Sequence, residues 1–129
     1  MNSRNRHIAV TAGRVMAVFV LLAAGPADSQ PSVPVEQTIR HLIAYVSGSD
    51  LRFVRNATEY TPLEAAAHMK KKYRYFREDI ATAEDFIELC ATKSLLSGEP
   101  YLVIDRQGNE RRTSDWLRAE LAAWQAHSR

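Results

Sequence analysis

The stretch TPLEAAAHMKKKYRYF, residues 61–76, decides the fold, because it reads either as a basic tract that grips a polyanion or as one amphipathic helix. Its first four residues settle the backbone. Thr61 offers a capping hydroxyl, Pro62 suits the first helical position, and Glu64 stands where a capping box needs a carboxylate. The pattern predicts a helix from Thr61 to about Arg77 or Ile80. At roughly 100° per residue, Ala65, Met69, Tyr73, Phe76 and Ile80 fall within about 60° of one another, with Ala66 beside them. That is the buried face. Lys70 and Arg74 lie to one side of it, Lys71 points away, and Lys72 sits at the other border, so the four cations fan around the helix. Tyr73 and Phe76 face the core. A nucleic-acid binder needs cations and stacking aromatics on one exposed surface, so this reading excludes a nucleic-acid partner.

The same helical wheel aligns Glu64, His68, Lys72, Tyr75 and Asp79 into a polar stripe along the apolar face. Spacing of i, i+4 lets Glu64 meet His68, and His68 meet Lys72. Read as function, the stripe is a recognition site whose histidine can titrate. Read as structure, Glu64 completes a cap and His68 bonds backbone.

Outward from this helix, apolar residues recur at Val35, Ile39, Leu42, Ile43 and Val46, which predicts a first helix ended by Ser47-Gly48-Ser49-Asp50. LRFVRN, residues 51–56, reads as a short strand running into a turn at Asn56. Asn56-Ala57-Thr58 fits the N-glycosylation pattern, which a leader of bacterial type makes irrelevant. Thr82-Ala83-Glu84-Asp85 caps a third helix carrying Phe86, Ile87, Cys90 and Ala91, with Gly98 and Pro100 as its stop. YLVID, residues 101–105, is the clearest strand, and Gln107-Gly108-Asn109 is a hairpin tip. Ser114 or Thr113 caps a last helix lined by Leu117, Leu121 and Trp124. The expectation is one small α+β domain, residues 35–127, of about four helices with two or three short strands.

The start of the chain has the layout of a signal peptide. Arg4, Arg6 and Arg14 precede an apolar run from Val15 to Ala24, and small residues follow at Gly25, Ala27 and Ser29. The run is about half the roughly 20 residues that a membrane-spanning helix needs, so no transmembrane anchor is expected in the mature form. Cleavage is expected near Ala27 or Ser29, leaving a Pro-containing tether over residues 28–34 and a periplasmic or secreted domain. The whole chain has 17 Lys and Arg against 15 Asp and Glu; the leader takes three basic residues and no acidic ones, leaving 14 against 15. The folded part is near neutral, so its charge does not point to polyanions.

Cys90 is the one cysteine, so no intrachain disulfide forms and packing must supply the stability. Its place on the Phe86/Ile87/Ala91 face predicts a buried thiol. No phosphate-binding glycine loop, nucleophile elbow, HExxH or CxxC occurs. His41, His68 and His127 fall on three different predicted helices without metal-ligand spacing, so neither metal nor cofactor is expected. Ser94 and Ser97 lack a lysine three residues on.

Several linked motifs resemble the YfeK-like family of small exported bacterial proteins of unknown function. They are FVRN at residues 53–56, then Glu59, Thr61, Glu64, Ala65, His68 and Lys72, then TAEDFI at 82–87, and SLLSGEPYLV at 94–103. Glu99 departs from the lysine of that pattern. The resemblance implies a signal peptide, one compact domain and no established activity. It nominates Arg55, Asn56, His68, Lys72, Ser94, Ser97 and Tyr101 as binding residues, with none assigned to catalysis. The leading reading is a protein-interaction or cell-envelope accessory module whose partner is an envelope protein. The alternative is a small-ligand or glycan-binding module, with a pocket where His68 and Lys72 meet SGEPY; a hydrolase, with His68 as base, comes third.

Overall fold

The computed structural model describes residues 33–128, so the leader, its cleavage point and the tether up to residue 32 lie outside the described residues. The elements run α1 (Val33–Ser47), β1 (Arg52–Arg55), β2 (Thr58–Tyr60), α2 (Pro62–Phe76), a 3₁₀ turn (Arg77–Asp79), α3 (Ala83–Cys90), β3 (Leu102–Ile104), β4 (Glu110–Arg112) and α4 (Thr113–His127). This is the expected α+β class with one strand more than expected. Val33 and Pro34 already belong to α1, so the helix begins before the residue 35 boundary read from periodicity. Proline in a first helical turn costs no hydrogen bond, since that N–H has no helical partner.

Both capping boxes form. Thr61 Oγ1 accepts from the Glu64 N–H at 3.2 Å while the Glu64 carboxylate accepts from the Thr61 N–H at 2.9 Å. Thr82 and Asp85 repeat the exchange at 3.0 Å in each direction, and Asp85 also accepts from the Ala81 N–H.

Three local expectations are corrected. The third helix stops at Cys90, well before Gly98, because the Thr92 hydroxyl donates to the Ile87 carbonyl at 2.8 Å and closes the last turn. The chain then folds back on itself, with the Tyr101 N–H donating to the Thr92 carbonyl and Gly98, at φ 73°, closing the turn onto Ser94. The cap of α4 is Arg112, without a side-chain bond, and not Ser114 or Thr113. β4 runs straight into α4 there. Thr113 is fully buried and spends its N–H on the Tyr101 carbonyl at 2.9 Å, while its hydroxyl has no partner. Finally, β2 pairs with β1 across the two-residue turn Asn56-Ala57, whose φ values of 50° and 62° are both left-handed. That is the turn geometry that matches strand twist, here formed without glycine.

The sheet is antiparallel throughout, ordered β2-β1-β3-β4. Phe53 pairs with Tyr60 on one side and Val103 on the other, and Phe53 and Val103 are buried. They join Ile39, Leu42 and Val46 of α1, Met69 of α2, Phe86 and Ile87 of α3, and Leu117 of α4 in one core. The Trp116 ring lies edge-on to Phe53 at 5.8 Å and stacks with Tyr45 at 4.6 Å, which ties α4 to both the sheet and α1. No helix among the described residues is long and apolar enough to cross a membrane.

Candidate functional site

The helical wheel places Lys72 at the border of α2, and the tertiary structure closes over it. It is buried to 7% exposure, whereas Lys70, Lys71 and Arg74 stay exposed. Its ammonium donates to the Lys93 carbonyl at 3.1 Å and to Tyr101 Oη at 3.3 Å. Burial lowers the Lys72 pKa from its ordinary value, and the Arg55 charge adds to that. One turn earlier, His68 Nε2 lies 3.2 Å from the same Tyr101 oxygen. Arg55, at the end of β1, brings its guanidinium to 2.8 Å from His68 Nδ1 and 3.0 Å from Nε2. A second guanidinium nitrogen donates to Tyr60 Oη at 3.0 Å, and the group lies 4.8 Å above the Tyr60 ring. Burial, then Arg55 and Lys72, lowers the His68 pKa to about 4, so the ring is neutral at pH 7.

The other nominated residues brace this cluster. Asn56 Nδ2 donates to Ser94 Oγ at 3.2 Å, and the Ser97 hydroxyl donates to Asn56 Oδ1 at 2.5 Å. Ser94 and Ser97 also accept from the backbone N–H groups of Leu96 and Glu99, which fixes their loop against the β1–β2 turn. All seven nominated residues therefore meet in one place. Arg55, His68, Lys72 and Tyr101 form its polar end, while Asn56, Ser94 and Ser97 hold the turn that carries Arg55. Of the polar stripe, His68 and Lys72 pack inward, Tyr75 and Asp79 are exposed, and Glu64 serves its cap while also lining the cleft beside this cluster. His68 bonds side chains, not backbone.

A cleft of about 300 Å³ opens beside this cluster, between α2 and the sheet. Phe53, Ala65 and Met69 give it an apolar wall, and Arg55, Tyr60, Glu64, His68 and Tyr101 line it as well. Its place differs from the one expected. Of the SGEPY segment only Tyr101 reaches it, and Lys72 stands behind Tyr101 instead of in the wall. Sequence reasoning missed Tyr60 and Phe53. Both would follow from recognising the β1–β2 hairpin, since Phe53 and Arg55 share a strand face and Tyr60 lies opposite Phe53.

Neither Arg55 nor Lys72 forms an ion pair among the described residues, whose salt bridges lie elsewhere. Histidine 68 has Arg55 and Tyr101 as its hydrogen-bond partners and no serine or cysteine. Cys90 is fully buried, and burial pushes its thiol up to about 12 despite the opposing charge of Lys72. No group of three metal-ligating side chains occurs among the described residues.

Fold and site together define a small α+β domain with an apolar cleft whose polar end carries the Arg55 guanidinium and two phenols beside His68 and Glu64. The chain matches DUF5329, a family of unknown function, over residues 33–125. It belongs to that family. It is 36% identical over 88 residues to the uncharacterized protein YfeK of Salmonella typhimurium, covering 67% of this chain and 73% of the relative. No solved structure matches it.

Proposed function

We infer that this chain is an exported ligand-binding module that takes a small, largely apolar molecule in the cleft between α2 and the sheet. The cleft carries the reading. A volume of about 300 Å³ lies at the small end of ligand sites, and an apolar wall with a few convergent polar groups is what such sites present. Export is supported by the basic, apolar and small-residue layout of residues 1–29. Placement in the periplasm or outside the cell follows from the same layout.

The test fills the cleft. Ala65 lines it and is buried, so Ala65→Leu projects a larger side chain toward the space a ligand would occupy. A panel of small amphiphiles is screened by thermal shift against wild type and Ala65→Leu. Binding by wild type that weakens at least tenfold in the variant supports the reading; a panel that moves neither protein sinks it.

A second reading, a protein-interaction module for the cell envelope, has its own observation. Leu95 and Leu96 are 66% and 96% exposed at the tip of the loop that Ser94 and Ser97 hold against the Asn56 turn. If that loop is a docking point, Leu96→Ser abolishes crosslinking to an envelope partner while leaving cleft binding untouched.

A further inference from the structure

The cleft's polar end gathers the Arg55 guanidinium and the Tyr60 and Tyr101 phenols around His68, with the Glu64 carboxylate on the lining as well. A guanidinium donates and cannot accept, and one Arg55 nitrogen stands 2.8 Å from Nδ1 and 3.0 Å from Nε2, so the ring nitrogen that lacks the proton accepts from Arg55. Tyr101 Oη lies 3.2 Å from Nε2 and accepts from the Lys72 ammonium at 3.3 Å. Tyr60 Oη likewise accepts from Arg55 and keeps its own O–H. Arg55 retains further N–H groups and pairs with no carboxylate among the described residues.

We propose that the cleft is an oxyanion receptor for an amphiphile: the carboxylate or phosphate end docks on the Arg55 guanidinium and the Tyr60 and Tyr101 hydroxyls, and the apolar part packs against Phe53, Ala65 and Met69. Arg55 is the cation on the lining and the Glu64 carboxylate there already accepts from the Thr61 N–H, so a ligand ending in an ammonium meets an unpaired guanidinium. Lys72 acts through Tyr101 as a positioning residue, because its ammonium donates to the phenol oxygen and occupies one of its acceptor sites. The proposal rests on the cleft reading above and adds the chemistry of the ligand's head.

The test titrates the full-length protein with octanoate, octyl phosphate, octanol and octylamine by calorimetry, with acetate and inorganic phosphate as tail-free controls. The acid or the phosphate is expected to bind roughly tenfold to a hundredfold more tightly than octanol, the size of one or two charge-assisted hydrogen bonds. Which of the two wins distinguishes a carboxylate from a phosphate source. Arg55→Gln should bring the anion down to the octanol level and Tyr101→Phe should weaken it, while a urea midpoint close to that of wild type for both variants guards against a variant that merely misfolds. Octanol binding as tightly as the anions overturns the oxyanion head and leaves the cleft reading standing. Acetate matching octanoate overturns the apolar tail. If none of the four amphiphiles binds, the cleft reading and the oxyanion head fail together.

Discussion

His68 faces two cations, and its titration should be visible in the stability of the fold. Its pKa falls from 6.5 to about 4, first through burial and then through Arg55 and Lys72. Between those values the unfolded chain holds a proton at this position that the folded chain does not. Stability from this residue is therefore intact above pH ~6.5 and is lost as the pH falls toward 4. The ring is only half-buried, so screening reduces the loss to an expected value on the order of 1 kcal/mol. Urea unfolding of wild type and His68→Asn at neutral and mildly acidic pH checks it: wild type should lose more stability than the variant over that window, and equal losses refute the assignment. Thr113 gives a second residue-level outcome. Its hydroxyl is buried without a partner, so Thr113→Val, which keeps the shape and removes that group, should stabilise the protein by about 1 kcal/mol in the same assay.

At the scale of elements, what could be read locally was read. The boxes Thr61/Glu64 and Thr82/Asp85 need only a hydroxyl and a carboxylate three residues apart, and both helix starts follow. The β1–β2 hairpin has no such mark. Its turn is Asn56-Ala57, and the glycine that usually announces two consecutive left-handed residues is replaced by an alanine at φ 62°. An alanine there carries a backbone cost of roughly 1–2 kcal/mol, part of which a glycine would return as extra freedom in the unfolded chain. Ala57→Gly is therefore expected to raise stability by about 0.5 kcal/mol without altering the pairing of Arg55 with Thr58. A denaturation midpoint that falls would mean that the strain is absorbed elsewhere. The stop of α3 escaped for a related reason. Gly98 looks like a helix terminator, but the hydroxyl of Thr92 ends the helix earlier, and Gly98 turns a loop instead.

For the whole molecule, the assembly of the site depends on pairing that no local pattern encodes. β1 lies between β2 and β3, so Arg55 reaches Tyr60 on the neighbouring strand, and His68 links it to Tyr101 just ahead of the other. The helical wheel could bring Lys72 to the edge of the core, but only the loop at Lys93 covers it. The same dependence on long-range packing says where the stability resides. Phe86 is fully buried and meets the Tyr73 ring edge-on at 5.8 Å, joining α3 to α2. Removing it leaves a cavity, and Phe86→Ala is expected to cost roughly 3–5 kcal/mol, a large part of the 5–15 kcal/mol typical of a domain. Arg118 offers the contrast, with Glu84 at 2.6 Å, Glu88 at 3.2 Å and Asp115 at 3.6 Å. These carboxylates are all more than half exposed, so their network gains little over water. Arg118→Ala should cost under about 1 kcal/mol, and about 1 M salt should erase most of that difference. Urea denaturation of both variants at low and high salt decides it: a loss at Arg118 that rivals Phe86, or that survives the salt, would move the weight of the fold from its core to its surface charges.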